Sequence, residues 1–107
     1  MRDALERLHR PPELAEAPLA RMLGLEQDLE GARLQRLLTE QVELLARSLT
    51  GVEQQQAVQA LRDYYLNRVG SQEVVAERLH LARATFYRRL HLGWELLAAR
   101  LAEAGPA

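Results

Sequence analysis

Between residues 32 and 49 the apolar side chains Leu34, Leu37, Leu38, Val42, Leu45 and Leu49 recur at intervals of three and four. At 3.6 residues per turn this spacing gathers them on one side of a helix of about five turns. A helix with a single apolar stripe must bury it, so the rest of the chain has to supply matching surfaces. Two further stripes do so: Val58, Leu61, Tyr65 and Val69, then Phe86, Leu90, Trp94, Leu97 and Leu101. No stretch alternates apolar and polar residues as a half-buried strand would. The 48% hydrophobic fraction is mostly Leu and Ala, with few aromatic and β-branched residues, which favours helix wherever the periodicity agrees. The expected fold class is all-α, with five to six helices.

A chain of 107 residues accommodates one modest core, or one domain and a helical appendage. Without cysteine it has neither disulfides nor thiolate metal sites. Its apolar runs are a few residues long, too short to cross a bilayer, and the N-terminus lacks the basic-then-apolar order of a secretory signal. A cytoplasmic location without membrane partners is expected. All fourteen basic residues are Arg, a usage that fits a GC-rich coding sequence.

The N-terminal third reads as short helices. Residues 2–9 place Leu5 and Leu8 on one side and stop at Pro11 and Pro12; His9 reads as a solvated helix end. A second segment covers 12–17, and a third opens at Pro18 and closes on Gly24 as a left-handed cap. After the long helix, Thr50 is the expected N-cap of the next, and Gly70 its end. Ser71 then caps a short helix that buries Val74, Val75 and Leu79. A three-residue turn, His80 to Ala82, leads into a helix from Arg83 to about Ala102 that contains Gly93. The tail, 105–107, is expected to fray. The organisation that results is an N-terminal helical support, residues 1–50, and a helix-turn-helix unit, residues 51–104.

Charge distribution directs attention to the second unit. The net charge is −1, and residues 1–68 hold nine Arg against eleven acids, whereas 78–91 hold four Arg, two His and no acid. Two helices joined by so short a turn need a small residue where they pack, and Ala76 provides it. With Val75, Leu79, Leu81, Phe86 and Leu90 turned inward, the second helix keeps Arg83, Thr85, Tyr87 and Arg88 on its free side. Arg83 and Arg88 have the forked donors that match a guanine edge. Ala84 permits close approach, and Thr85 or Tyr87 suits a thymine methyl or a phosphate. Arg78 and Arg89 suit the DNA backbone, which fixes register without reading sequence.

The stretch SQEVVAERLHLARATFYRRLHLGWELLAARL resembles the helix-turn-helix of bacterial sigma factor region 4 and of LuxR-type response-regulator output domains. The resemblance covers about 30 residues, or some 50 with the preceding helix. It implies base contacts from Arg83, Ala84, Tyr87 and Arg88, a backbone contact near Thr85, and structural roles for Ala76, Leu79, Leu81, Phe86 and Leu90. It further implies sequence-specific binding of double-stranded DNA in transcription regulation. Two positions depart from the pattern. His80 stands where glycine is common, and Ala82 replaces the usual Ser or Thr cap, which leaves the following amides to a partner such as a DNA phosphate. The segment LHRPPELAEAPLARMLGL is also similar to parts of large bacterial regulators that carry signalling ATPase modules, which implies one domain of a longer protein.

No glycine-rich phosphate loop, His-Glu-x-x-His motif or paired nucleophile and base is present, so an enzyme is not expected and no cofactor is implied. Glu40, Glu43, Asp63, Glu73 and Glu77 read as polar helix faces. His80 and His91 lack carboxylates at ligand spacing, so no metal site is expected. Trp94 reads as a packing anchor whose indole N–H reaches solvent or a carbonyl, and Tyr64 and Tyr65 as the edge of the core. The alternative is a helical protein–protein interaction or oligomerisation module without DNA binding, in which helices 32–49 and 83–102 offer apolar surface to another subunit. The two readings combine if the chain acts as a homodimer or beside other domains. The same groove-reading chemistry serves a regulator, a phage packaging protein or a recombination protein.

Overall fold

The computed structural model describes residues 1–25 and 27–104, and the expected fraying of 105–107 lies outside them. The described residues contain seven α-helices and no strand, two or one more helices than the spacing predicts. They are α1 (Arg2–Glu6), α2 (Pro11–Leu14), α3 (Pro18–Met22), α4 (Ala32–Ser48), α5 (Val52–Leu61), α6 (Gln72–Arg78) and α7 (Arg83–Ala104). A π-helical turn, Arg62–Leu66, extends α5. The all-α class therefore stands, and the extra helices are the one-turn pieces at the N-terminus.

Proline and glycine punctuate those pieces. Pro11 and Pro18 each occupy the start of a helix, where a missing N–H costs nothing. Gly24 takes the left-handed cap as expected, with φ 70°, and the Leu25 amide returns to the Ala20 carbonyl at 2.8 Å. Gly31, also at φ 70°, is buried against the backbone of Pro11, so the entry to α4 has room for no side chain. The Asp28 carboxylate accepts from the Arg33 amide at 2.9 Å and supplies the capping that Gly31 lacks.

One buried cluster unites both halves of the chain. Leu34, Leu38, Val42 and Leu45 of α4 meet Val58, Leu61 and Tyr65 and then Phe86, Leu90, Leu97 and Leu101 of α7. Leu5, Leu8 and Leu14 close the cluster from the N-terminal side. The most extensive contact is between α5 and α7, and Gly93 makes it possible. A Cβ there would lie 2.8 Å from Leu61 Cγ and 3.0 Å from the Ala57 carbonyl oxygen.

Several local expectations are corrected. Gly51, not Thr50, is the N-cap of α5, and it offers no side-chain acceptor. The α5 stripe does not run smoothly to Gly70, because the chain widens into the π-helical turn. There the Asn67 amide reaches the Arg62 carbonyl at 2.7 Å, and Arg68, at φ 51°, takes the left-handed residue that reverses the chain. Val74 is 47% exposed while Val75 is fully buried, since neighbours on a helix point about 100° apart and cannot share one narrow contact. His9 is more than a solvated end: its Nε2 donates to the Tyr65 carbonyl at 2.6 Å, tying the exit of α1 to the π-helical turn. The Trp94 indole N–H reaches neither solvent nor a carbonyl; it is buried without a hydrogen-bond partner.

Candidate nucleic-acid interface

The segment 71–92 comprises α6, the turn of residues 79–82 and the first half of α7. Ser71 caps α6 as its residue type suggests, its hydroxyl accepting from the Val74 amide at 3.3 Å. At the other end His80 adopts φ 57°. The His80 amide bonds to the Glu77 carbonyl at 3.0 Å and the Leu81 amide to the Ala76 carbonyl at 2.9 Å. Together these make a Schellman closure with histidine in the residue position that glycine usually fills. Imidazole is among the side chains that tolerate this backbone region best, though a β-carbon there still strains it.

Beyond the turn, Ala82 offers no side-chain oxygen, and α7 begins with the Phe86 amide bonding to the Ala82 carbonyl at 2.8 Å. Phe86 and Leu90 point into the core under α6 and α5. At 100° per residue this leaves Ala84, Tyr87, Arg88 and His91 on one outward face, and all four are exposed. Tyr87, at 42%, is among the most exposed large hydrophobic side chains. Arg83, at the free end of the helix, is exposed as well. The four residues singled out for base contact, Arg83, Ala84, Tyr87 and Arg88, therefore lie together on accessible surface. His91, unsuited to a metal by its spacing, continues the same face, as its place eight residues after Arg83 on one helix dictates.

The remaining three candidates are arranged differently. Thr85 is half-buried, and its hydroxyl accepts from Arg88 Nη2 at 3.2 Å, so the two side chains form one local unit. Arg78 projects from the last turn of α6, and its Nε lies 3.7 Å from the carboxylate of Asp63, which is itself buried. Gln59 Nε2 donates to the same carboxylate at 2.9 Å. Asp63 thus joins the π-helical turn to α6, a role that its expected place on a polar helix face did not disclose. Arg89 turns away from the outward face. Its side chain is 19% exposed, donates to Gln56 Oε1 at 2.9 Å, and lies 3.8 Å from Glu53.

Electrostatics leave the outward face positive. Arg83 has one acidic neighbour, Glu73, at 3.3 Å, and both side chains are mostly in solvent, where such a pair is worth little. Along the face, Tyr87, His91 and the half-buried Trp94 stack edge to face: Tyr87 to His91 at 4.9 Å and His91 to Trp94 at 4.6 Å between centroids. Below Trp94, burial pushes the Tyr65 hydroxyl up to about 12, partly offset by the nearby Trp94 indole. Among the described residues no group of three or more His, Asp or Glu side chains is placed to hold a metal ion. None of the described helices is long and apolar enough to cross a membrane.

Searches of protein-family models, curated proteins and solved structures found no match to this chain.

Proposed function

We propose that this chain binds double-stranded DNA in a sequence-specific manner, reading the major groove with the first two turns of α7 as the second helix of a helix-turn-helix, in the service of transcription regulation. The observation that carries the reading is the shared outward face of Arg83, Ala84, Tyr87 and Arg88, presented by a tight turn within a stretch of four Arg, two His and no acid. Arg83 and Arg88 take guanine edges, each worth about 1–3 kcal/mol of discrimination. Ala84 lets the helix axis approach the base edges, and Tyr87 meets a thymine methyl or a phosphate. Arg78 and Thr85 serve the backbone. Arg89, held by Gln56, positions α7 against α5 in this reading and reaches a phosphate only by leaving that bond. The likeness to sigma region 4 and LuxR-type domains supports the same role, with no catalytic step and no cofactor.

The test is fluorescence anisotropy on selected and random duplexes across a salt series, with wild type and an Arg83→Ala/Arg88→Ala double variant. Wild type is expected to prefer the selected sequence, to weaken steeply as salt rises, and to lose its preference in the double variant. Absence of binding to any duplex at low salt refutes the proposal.

A second reading, association with another helical protein, draws on a different surface from the one the stripes suggested. Leu38, Val42 and Leu45 face the chain's own core, so polar substitutions there test folding and not partnership. An accessible apolar surface is instead a groove between α1, α3 and the end of α7, lined by Ala4, Leu19, Met22 and Leu101, with Met22 75% exposed.

A further inference from the structure

We propose that Arg2, at the start of α1, belongs to the same DNA-binding surface and contacts a backbone phosphate at the rim of the groove that α7 enters. This rests on the DNA-binding reading of α7 and extends it to a helix eighty residues away in sequence. The guanidinium carbon of Arg2 lies 5.7 Å from the centroid of the Trp94 ring. That ring in turn meets Tyr87 edge on at 6.5 Å. Arg2 therefore borders the outward face on the side of Tyr87, although α1 belongs to the other half of the chain.

Distance along α7 identifies what Arg2 would meet. Trp94 is eleven residues past Arg83, about 16 Å along the axis at 1.5 Å per residue. The major groove is about 12 Å wide. Arg88, the last of the base-reading residues, is six residues before Trp94, about 9 Å along the axis, so a cation beside Trp94 stands behind the reading residues on the flank of the helix, where phosphates line the groove. The side chain is suited to the task. Its Nε is taken by Glu6 at 2.9 Å, while its two Nη groups donate to no protein acceptor among the described residues. The cation–π contact with Trp94 keeps the guanidinium at the edge of the face. Both partners of the Arg2–Glu6 pair are about half in solvent, so a phosphate displaces or joins Glu6 at little cost. Glu6 then acts as a local brake on the contact.

The experiment uses the full chain in the same anisotropy assay, with Arg2→Gln, Arg2→Lys and Glu6→Gln, each checked for an unchanged thermal transition. Arg2→Gln is expected to weaken selected and random duplexes by the same factor, roughly three- to tenfold, and to lower the salt slope by about one. Arg2→Lys is expected to restore the slope, and Glu6→Gln to tighten binding to both duplexes. If Arg2→Gln binds with wild-type affinity and slope while the Arg83→Ala/Arg88→Ala variant loses its preference, α7 reads DNA without Arg2 and the inference falls alone. A loss of affinity with an unchanged slope that lysine does not rescue assigns Arg2 to packing and also overturns it. If wild type binds no duplex, both proposals fall.

Discussion

Tyr65 shows how burial gives one side chain a measurable signature. Its phenol is 5% exposed beneath Trp94, and desolvation raises its pKa from about 10 to about 12. In the unfolded chain the hydroxyl ionises near the ordinary value, so the folded state holds its proton longer and stability declines as pH rises through that interval. Urea denaturation is expected to show a loss of roughly 1 kcal/mol between pH 9 and pH 11, and Tyr65→Phe is expected to flatten that slope. An unchanged slope in the variant would mean that the phenol is solvated. The residue's burial was legible, since Tyr65 falls on the apolar stripe of α5. Its neighbour was not: nothing in the spacing links Tyr65 to Trp94, twenty-nine positions later.

At the scale of elements, the central feature is the approach of α5 to α7 at Gly93. In an isolated helix Gly93→Ala would be favourable by about 1 kcal/mol. Here the new methyl meets Leu61 Cγ and the Ala57 carbonyl oxygen inside contact distance, and backbone on one side cannot swing away. Overpacking of this kind costs about 1–3 kcal/mol, so the substitution is expected to lower stability by about 1 kcal/mol net. The midpoint of a urea titration decides the matter, and a rise would mean that the helices slide apart freely. The apolar stripe predicts a helix that runs through Gly93, but the reason for a glycine there lies in Leu61 and Ala57 of another helix. The turn at His80 and the cap at Ser71 were more accessible, because both depend on residues within six positions of one another. The π-helical turn was not, since it arises where α5 must satisfy both the core through Tyr65 and α6 through Asp63.

The whole molecule is held by one buried cluster that crosses the boundary expected at residue 50. Leu34, Leu38, Val42 and Leu45 are as deeply packed as Phe86 and Leu90, with which they share the core. Residues 51–104 alone would expose the face that α4 and the N-terminal helices cover and keep only the burial that α5, α6 and α7 make among themselves. The fragment is therefore expected to lose the cooperative thermal transition of the full chain, followed by circular dichroism and by the emission of Trp94. A sharp transition in the fragment would establish that it folds independently. At this scale the N-terminal helices complete the core that α4 and α7 share, and through Arg2 they reach Trp94 of α7.

The sequence by itself determined what depends on neighbours along the chain: helical class, the long α4, the caps at Ser71 and Gly24, the turn at His80, and the grouping of Arg83, Ala84, Tyr87 and Arg88. Periodicity and capping act within a turn or two, so those features follow from residue order. Tertiary structure alone decided which side chains leave their expected roles. Arg89 turns to Gln56, Asp63 becomes a buried tie, Val74 stays in solvent, and Arg2 reaches Trp94. Each outcome depends on how helices distant in sequence cross, and that is set by competition among several apolar stripes for one shared core.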